Sequence, residues 1–182
     1  MVCLLVLIAT TVYAGSTSFQ HPSGQFRLVY DSDIWEIAPI ERGTQRVEEV
    51  DQRIQQAIQV SLQRKVANDR YHPRFSVVVE DATRFDTKTP SGAENYRRYA
   101  LDFLKSQRFQ VLSQRSVTLG ELPAYEITAY QRDFGLTYVQ WIVLEGTRAF
   151  LLTGAARTQV FEERRAELDA MARSLQLKVE PK

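Results

Sequence analysis

Residues 151–175 place an apolar run, a single glycine and a charged, helix-like stretch in direct succession. A strand, a glycine turn and a helix N-terminus in this order form the phosphate sites of many nucleotide-binding proteins. Such a loop needs several glycines or an adjacent lysine, whereas here Gly154 stands alone and the next cation is Arg157. We therefore predict no phosphate site. Gly154 is expected to be a bend where the chain leaves the sheet edge, with Arg157 or Thr158 near a helix start.

Histidine and cysteine residues are too few to predict a metal site. The chain has two histidines, His21 and His72, and one cysteine, Cys3, whereas a zinc site takes three or four ligands at regular spacings. No serine lies in the G-x-S-x-G pattern of a hydrolase nucleophile. A triad assembled from distant parts of the chain stays open at this stage. No catalytic, metal-binding or cofactor-binding residue is predicted.

Acidic residues near the end of one apolar run could supply a carboxylate pair. Glu80 and Asp81 end the run, and Asp86 lies just beyond it. Adjacent positions on a strand point to opposite faces of the sheet, so Glu80 and Asp81 are not expected to act on one substrate. We interpret these acids as solvated loop residues.

Aromatic and basic residues in the C-terminal half could form a surface for a partner. Tyr138 and Trp141 lie in one predicted strand, and Arg132 and Arg148 lie beside the turns that flank it. A period of two places Tyr138 and Trp141 on opposite faces of that strand. Packing in a core explains these aromatic residues equally well, because tyrosine and tryptophan favour sheets. The four residues are the candidate partner surface.

Alternating apolar and polar residues predict four strands in the C-terminal half, over residues 109–119, 122–131, 136–145 and 148–155. The connections are short and contain glycine, which is typical of tight turns. Short connections force neighbouring strands to be antiparallel, since a parallel crossover needs a dozen residues or more. A final helix is expected over residues 158–175.

The N-terminal half is expected to contain both strands and helices. Short strands are predicted over residues 25–30, 34–37 and 75–79. Residues 44–67 carry apolar side chains three and four positions apart, which predicts an amphipathic helix lying on a sheet. A capping box that begins at Ser91 predicts the start of another helix. The whole order predicts an α+β fold, an αβα sandwich whose largely antiparallel sheet is covered by three amphipathic helices.

The composition is typical of one soluble globular domain. The 182 residues are 44% hydrophobic and 25% charged, and the formal net charge is +1. A chain with this balance has no overall field that would attract it to nucleic acid, so no nucleic-acid partner is expected.

Residues 1–14 are uncharged and mostly aliphatic, and they are too short to span a bilayer, which takes about 20 apolar residues. Small residues precede Gly15, so we predict a secretory signal cut after Ala14, although no Lys or Arg precedes the apolar run. A buried N-terminal strand is the alternative. Residues 15–182 would then form a single domain. Since Gly15 is not a cysteine, no lipid anchor is expected after cleavage, and the protein is predicted to be periplasmic or secreted.

Four stretches of the sequence resemble the PsbP-like superfamily. They are residues 26–37 (FRLVYDSDIWEI), 120–130 (GELPAYEITAY), 146–156 (GTRAFLLTGAA) and 161–177 (FEERRAELDAMARSLQL). The superfamily includes an extrinsic photosystem subunit, a Ran-binding import factor and many exported bacterial proteins. The resemblance covers most of the mature chain and implies an αβα sandwich with an antiparallel sheet. It implies no catalytic residue, because the family shares none.

Together these observations predict an exported, non-enzymatic binding or assembly module that acts on a partner protein of the cell envelope or on a small ligand. No cofactor is expected. A hydrolase with a dispersed active site is the alternative, and an apolar cleft with converging titratable groups would favour it. A surface-interaction protein with an exposed apolar patch is a third possibility, which a contiguous patch rimmed by charge would favour.

Overall fold

A computed structural model describes residues 15–40, 57–66 and 71–178 of the chain. These residues form ten strands in two sheets, and two α-helices. The strands are β1 (Ser16–Gln20), β2 (Phe26–Asp31), β3 (Trp35–Ile37), β4 (Ile58–Arg64), β5 (Arg74–Asp81), β6 (Gln110–Leu119), β7 (Leu122–Gln131), β8 (Leu136–Glu145), β9 (Arg148–Arg157) and β10 (Gln176–Leu177). The helices are α1 (Pro90–Ser106) and α2 (Phe161–Arg173).

The larger sheet has seven strands in the order β3-β4-β5-β9-β8-β7-β6 and is antiparallel throughout. Strands β6 to β9 form the meander that the sequence predicts, with bounds that differ from the predicted ones by at most two residues. Gly120 and Gly146 occupy the β6–β7 and β8–β9 turns with φ of 60° and 62°. Glycine adopts this left-handed conformation without a Cβ clash, so tight hairpins can form at both positions.

The helix predicted over residues 44–67 is wrong in its second half. Residues 41–56 and 67–70 lie outside the described residues, but Ile58–Arg64 forms β4, which pairs with β3 and β5. Val60 and Leu62 point into the core and are 2% and 0% exposed. A spacing of four between Ile58 and Leu62 fits a helix and a strand equally, because it is one helical turn and also two strand repeats. The pairing of residues 58–64 with β3 and β5 makes this segment a strand.

Helix α1 covers one face of the seven-stranded sheet. It contributes the buried residues Tyr96, Ala100 and Leu104 to a continuous apolar cluster. The sheet contributes Val78, Ile127, Ile142 and Leu151.

Helix α2 and the smaller sheet cover the opposite face. Phe161 and Leu168 of α2 pack in the same buried cluster as Leu152 of β9. Phe26 and Leu28 of β2 join this cluster, since the smaller sheet has the order β1-β2-β10 and lies on that side. The seven-stranded sheet therefore has a helix on each face, which confirms the predicted αβα sandwich.

Helix α1 begins two residues earlier than the capping box at Ser91 predicts. Thr89 is the N-cap, and its Oγ1 accepts a hydrogen bond from the backbone N–H of Gly92 at 3.1 Å. Pro90 takes the first helical position, where its missing N–H has no cost and its fixed φ suits the helix. The proline therefore lies inside the helix, and the threonine before it supplies the capping oxygen.

Gly154 is not the predicted bend. It lies inside β9, opposite Phe75 of β5 and Val139 of β8, and the chain leaves the sheet only after Arg157. A Cβ at Gly154 would lie 2.9 Å from both methyl carbons of Leu168. The missing side chain of Gly154 therefore lets Leu168 of α2 lie close to the sheet. Because β9 continues between two antiparallel neighbours at this position, there is no strand–turn–helix phosphate loop there.

Replacing Gly154 by alanine is expected to lower the free energy of unfolding by about 1–3 kcal/mol, because overpacking a buried contact displaces side chains. Leu168→Ala alone is expected to cost about 2–5 kcal/mol through the cavity that it leaves. In the double variant the new methyl occupies part of that cavity, so the combined loss should be smaller than the sum. Urea unfolding of the three variants measures this coupling, and strictly additive losses would contradict the close approach.

Candidate functional site

The four residues of the predicted partner surface do not come together. Arg132 is exposed in a short 3-10 helix (Arg132–Phe134) before β8, whereas Arg148 is exposed at the start of β9 and pairs in register with Glu145. The length of β8 separates the two arginines by about 30 Å. Arg148 and Lys178 line a cleft of about 510 Å³, and Arg132 is not among its lining residues.

The two aromatic residues lie on opposite faces of β8, as their spacing predicts. Trp141 is 1% exposed in the cluster beneath α2, and its indole N–H donates a hydrogen bond to Glu126 at 2.9 Å. A residue this deeply buried has no surface to offer a partner, so Trp141 is a core residue in this fold. Tyr138 lies on the α1 side, where its ring packs edge-to-face on Phe109 at a centroid distance of 4.9 Å.

A groove of about 820 Å³ lies between α1 and the sheet. Val78 of β5 and Leu151 of β9 form its floor, while Tyr96, Tyr99 and Phe103 of α1 form one wall. These positions face the groove because alternate residues of paired strands share one side of a sheet. The volume and the mainly apolar lining fall within the range of small-molecule binding sites.

A second, smaller cavity of about 250 Å³ continues the groove towards β7. The two share Phe103, Gln140 and Thr153, so they meet at these residues. Beyond that meeting point the lining is almost wholly apolar and includes Ile127 and Tyr138. The cavity thus forms an inner end of the groove. We call the whole space the α1 groove.

Polar side chains interrupt the apolar floor of the α1 groove along one row. Ser76, Thr153 and Gln140 are in register across β5, β9 and β8. The Gln140 side-chain amide donates a hydrogen bond to Thr153 Oγ1 at 3.2 Å. Within the described residues the side-chain oxygen Oε1 of Gln140 has no hydrogen-bond partner, so the row can still accept a hydrogen bond from a ligand.

Charged side chains stand at the outer end of the α1 groove. The Arg84 guanidinium lies 4.6 Å from the ring centroids of both Phe85 and Tyr99. Glu80 lies on the same rim, and the Tyr96 hydroxyl donates a hydrogen bond to its Oε2 at 2.7 Å. Burial and the neighbouring Glu80 carboxylate raise the pKa of Tyr96, so this hydroxyl stays protonated and keeps donating.

The histidines have structural partners. His21 contacts the side chains of Ser23 and Gln59, each at 2.9 Å, and His72 Nδ1 contacts the backbone oxygen of Arg64 at 2.6 Å. Over residues 15–40, 57–66 and 71–178, no three His, Cys, Asp or Glu side chains are grouped so that they could hold a metal ion.

Solved structures resemble this architecture closely in topology and weakly in sequence. Cyanobacterial PsbP (CyanoP) from Synechocystis sp. PCC 6803 superposes with a TM-score of 0.62 at 8% identity, over 95% of this chain and 98% of that one. LpqN of Mycobacterium tuberculosis gives 0.54 at 12% identity, over 90% of each chain. A Bacteroides thetaiotaomicron protein gives 0.51 at 14% identity, over 91% of this chain and 50% of that one. The chain has the PsbP-like fold. No model of a known protein family and no curated protein matches the sequence.

The PsbP-like sandwich of this chain also holds a buried charge cluster beneath α2. Glu126 is 4% exposed and accepts hydrogen bonds from Arg165 at 2.7 Å, from Arg115 at 2.9 Å and from Trp141. Burial by itself raises the pKa of Glu126, but the bonds from Arg115 and Arg165 outweigh it, so the pKa lies below its usual value. A carboxylate held in this way is saturated with donors and fixes α2 to the sheet.

The sequence singles out three residues that line the α1 groove, Tyr138, Glu80 and Asp81, but not the polar residues of its floor. Each of the three polar floor residues stands in the middle of an apolar strand: Ser76 in FSVVV, Gln140 in YVQWIV and Thr153 in LLTGAA. A polar residue at an inward position must find a partner or line a cavity. This pattern is a sequence signal that marks each residue singly, whereas their position side by side follows only from the pairing of β5, β9 and β8.

Proposed function

We propose that the protein is an exported, non-enzymatic module of the cell envelope that binds a ligand or a partner segment in the α1 groove. The observation that supports this proposal is the groove itself: a mainly apolar space with one hydrogen-bonding row and a charged rim. Two of its titratable lining residues already accept hydrogen bonds from neighbouring groups of the protein. Glu80 accepts from Tyr96, and Asp81 Oδ1 accepts from the backbone N–H of Thr83 at 2.8 Å.

The structural neighbours are compatible with an envelope role. LpqN is described as involved in cell envelope biogenesis, and CyanoP is a PsbP protein. At 8% and 12% identity these similarities establish the fold, and the envelope role of this chain is our inference from them. Across the described residues, no helix has the length and apolar character needed to cross a membrane.

Export through a signal cut after Ala14 is part of the proposal. Gly15 would then carry the new α-amino group. A methyl built on Gly15 would lie 2.6 Å from Asp31 Oδ1 and 2.5 Å from Asp33 Oδ2, so two carboxylates surround this residue. A cationic terminus beside two carboxylates would be electrostatically favoured.

N-terminal sequencing of the protein recovered from the extracytoplasmic fraction is expected to begin at Gly15 and to read Gly-Ser-Thr-Ser. The small residues before this position suit a signal peptidase. Replacing Ala14 by a bulky residue such as Trp should block the cut and leave the longer form in the membrane fraction. Recovery of an uncut chain from the extracytoplasmic fraction would contradict a cleaved signal.

The α1 groove can be tested as a binding site with one blocking variant. Ser76→Phe places a ring on the groove floor, and Ser116→Phe makes the same change on the exposed side of β6 as a matched control. Native mass spectrometry of the exported protein should show a retained ligand or partner in the wild type and in Ser116→Phe, and its loss in Ser76→Phe. Equal thermal unfolding of the variants would show that the fold is intact.

The same variants separate binding from hydrolysis. The proposal predicts no turnover of ester, amide, glycoside or phosphoester substrates by the wild type. Turnover that Ser76→Phe abolishes and Ser116→Phe preserves would replace the binding module by a hydrolase that uses the same groove.

A further inference from the structure

We propose that the α1 groove takes an amphiphile with a single hydrocarbon chain and a head group that carries both an anionic and a cationic centre. This inference rests on the proposed binding function and names its ligand class. It follows from the order of surfaces along the groove, which changes from charged to hydrogen-bonding to apolar.

The outer end of the groove has charges of both signs. The Arg84 guanidinium carbon lies 4.6 Å from the ring centroids of Phe85 and Tyr99, and among the described residues no carboxylate forms an ion pair with it. The N–H groups of such a guanidinium can still donate to an anion such as a phosphate. Glu80 and Asp81 stand on the same rim, so a purely anionic head group would meet two carboxylates as well as the arginine.

A zwitterionic head group matches this arrangement. Its anionic centre would contact Arg84, while an ammonium would lie near Glu80, whose Oε2 accepts from Tyr96 and whose second oxygen is not used by that bond. Both contacts would be charge-assisted hydrogen bonds, which are stronger than neutral ones.

The middle and inner parts of the groove suit a hydrocarbon chain beneath a polar linkage. The distance along β5 from Glu80 to Ser76 is about 14 Å at the rise of an antiparallel strand. There the row of Ser76, Thr153 and Gln140 can bond an ester or hydroxyl group. Beyond the row, Ile127, Tyr138 and the other lining residues of the inner cavity form an apolar end.

The small volume of the inner end favours one chain over two. The inner cavity has about 250 Å³, less than a third of the outer groove. It lies between the α1 residues Phe103 and Leu104 and the sheet, so a second chain would have to lie in the outer part of the groove, near the carboxylates of its rim. Placing hydrocarbon against exposed carboxylates is unfavourable, because those groups would lose water without gaining a partner.

The test uses the exported protein and the apolar dye Nile red as a reporter. Three competitors share a fourteen-carbon chain: lysophosphatidylethanolamine, lysophosphatidylglycerol and tetradecanol. The two lysolipids are kept below their micelle-forming concentrations, and tetradecanol is kept below its solubility limit. We expect the dye to bind to the wild type. Lysophosphatidylethanolamine should displace it at the lowest concentration of the three competitors. Ser76→Phe should weaken dye and lipid by tenfold or more, and Ser116→Phe should leave both unchanged.

Head-group variants examine the charged rim directly. Arg84→Gln should weaken both phospholipids about tenfold and leave tetradecanol unchanged, since it removes a charge-assisted contact. Glu80→Gln keeps an acceptor for Tyr96 but removes the charge, so it should abolish the preference for the ethanolamine lipid. In a series of ethanolamine lipids, affinity should rise with chain length and then level off when the inner cavity is full. A free phosphoethanolamine head group should bind at least a hundredfold more weakly.

The outcomes separate the ligand class from the proposed function. Dye binding that depends on Ser76, with all three competitors equally effective, would overturn the zwitterionic ligand and keep the binding groove. Dye binding that depends on Ser76 and that none of the three single-chain competitors displaces would overturn the single-chain ligand and keep the binding groove. A wild type that binds neither dye nor lipid would overturn both the ligand class and the groove as a binding site.

Discussion

Glu126→Ala is expected to lower the free energy of unfolding by about 3–5 kcal/mol, the range for removing one partner of a buried ion pair. The carboxylate is 4% exposed and bonds Arg165, Arg115 and the Trp141 indole at 2.7–2.9 Å. Its removal leaves the Arg165 guanidinium, which also bonds Asp169, partly unpaired beneath α2. That remaining charge is costly because it has lost water and gains no new partner.

Urea unfolding monitored by circular dichroism measures this loss. Glu121→Ala is the matched control, since Glu121 is exposed in the β6–β7 turn, and it should change the free energy of unfolding by less than about 0.5 kcal/mol. Equal effects of the two substitutions would show that the buried cluster contributes nothing specific.

The pH dependence of stability provides a second readout for Glu126. Because its folded pKa is lowered, its charged form stabilises the fold at pH values above the unfolded pKa of about 4.3. This contribution is lost as the pH falls from there through the folded pKa. The wild type should therefore lose stability more steeply in that window than Glu126→Gln, which cannot titrate. Parallel curves for the two proteins would contradict the lowered pKa.

Trp141→Ala is expected to cost about 3–5 kcal/mol, the range for truncating a buried tryptophan. The ring is 1% exposed, lies 6.3 Å from the Phe75 ring and lies beneath the Arg165 guanidinium at 5.5 Å. Thermal unfolding should show the loss, and lipid binding in the α1 groove should persist at temperatures where the variant is folded, because the indole lies on the other face of β8.

Tyr138→Ala is the informative comparison for Trp141. Tyr138 lines the inner cavity and is only half-buried, so its removal should affect binding more than stability.

The loss of unfolding free energy in a Glu126→Ala/Trp141→Ala double variant should be smaller than the sum of the single losses, since both substitutions remove the same hydrogen bond. If Trp141→Ala folds normally but no longer binds the ligand, Trp141 would belong to the binding surface and not only to the core.

The C-terminal meander could be predicted from the sequence because its signals are local. Each strand alternates, and each turn contains a glycine within a few residues of both partners, as at Gly120 and Gly146. Residues 58–64 lack such signals, since their apolar spacing fits two periods. Trp141 was ambiguous for another reason. Both faces of β8 are covered, so a period of two separates the faces without telling which residues are exposed.

The α1 groove could not be predicted because it depends on a pairing between distant strands. Ser76 and Thr153 become neighbours only when β9 pairs with β5, and no turn in the sequence specifies that pairing. The close approach of Leu168 to Gly154 could not be predicted either, because it joins a strand and a helix through tertiary packing alone. Local patterns predict the elements here, and the site arises where remote elements meet.

The position of β9 in the middle of the sheet has a consequence for the order in which the chain folds. During synthesis, β5 acquires its second neighbour only after residues 148–157 have left the ribosome, and β2 pairs with β10 only after residue 177. Contacts this distant along the chain slow folding, since a long loop must close, at a cost in entropy, before the strand pair can stabilise the fold. The pairs β1–β2 and β4–β5 can therefore form early, whereas β2 and β5 gain their second neighbours only when translation is almost finished.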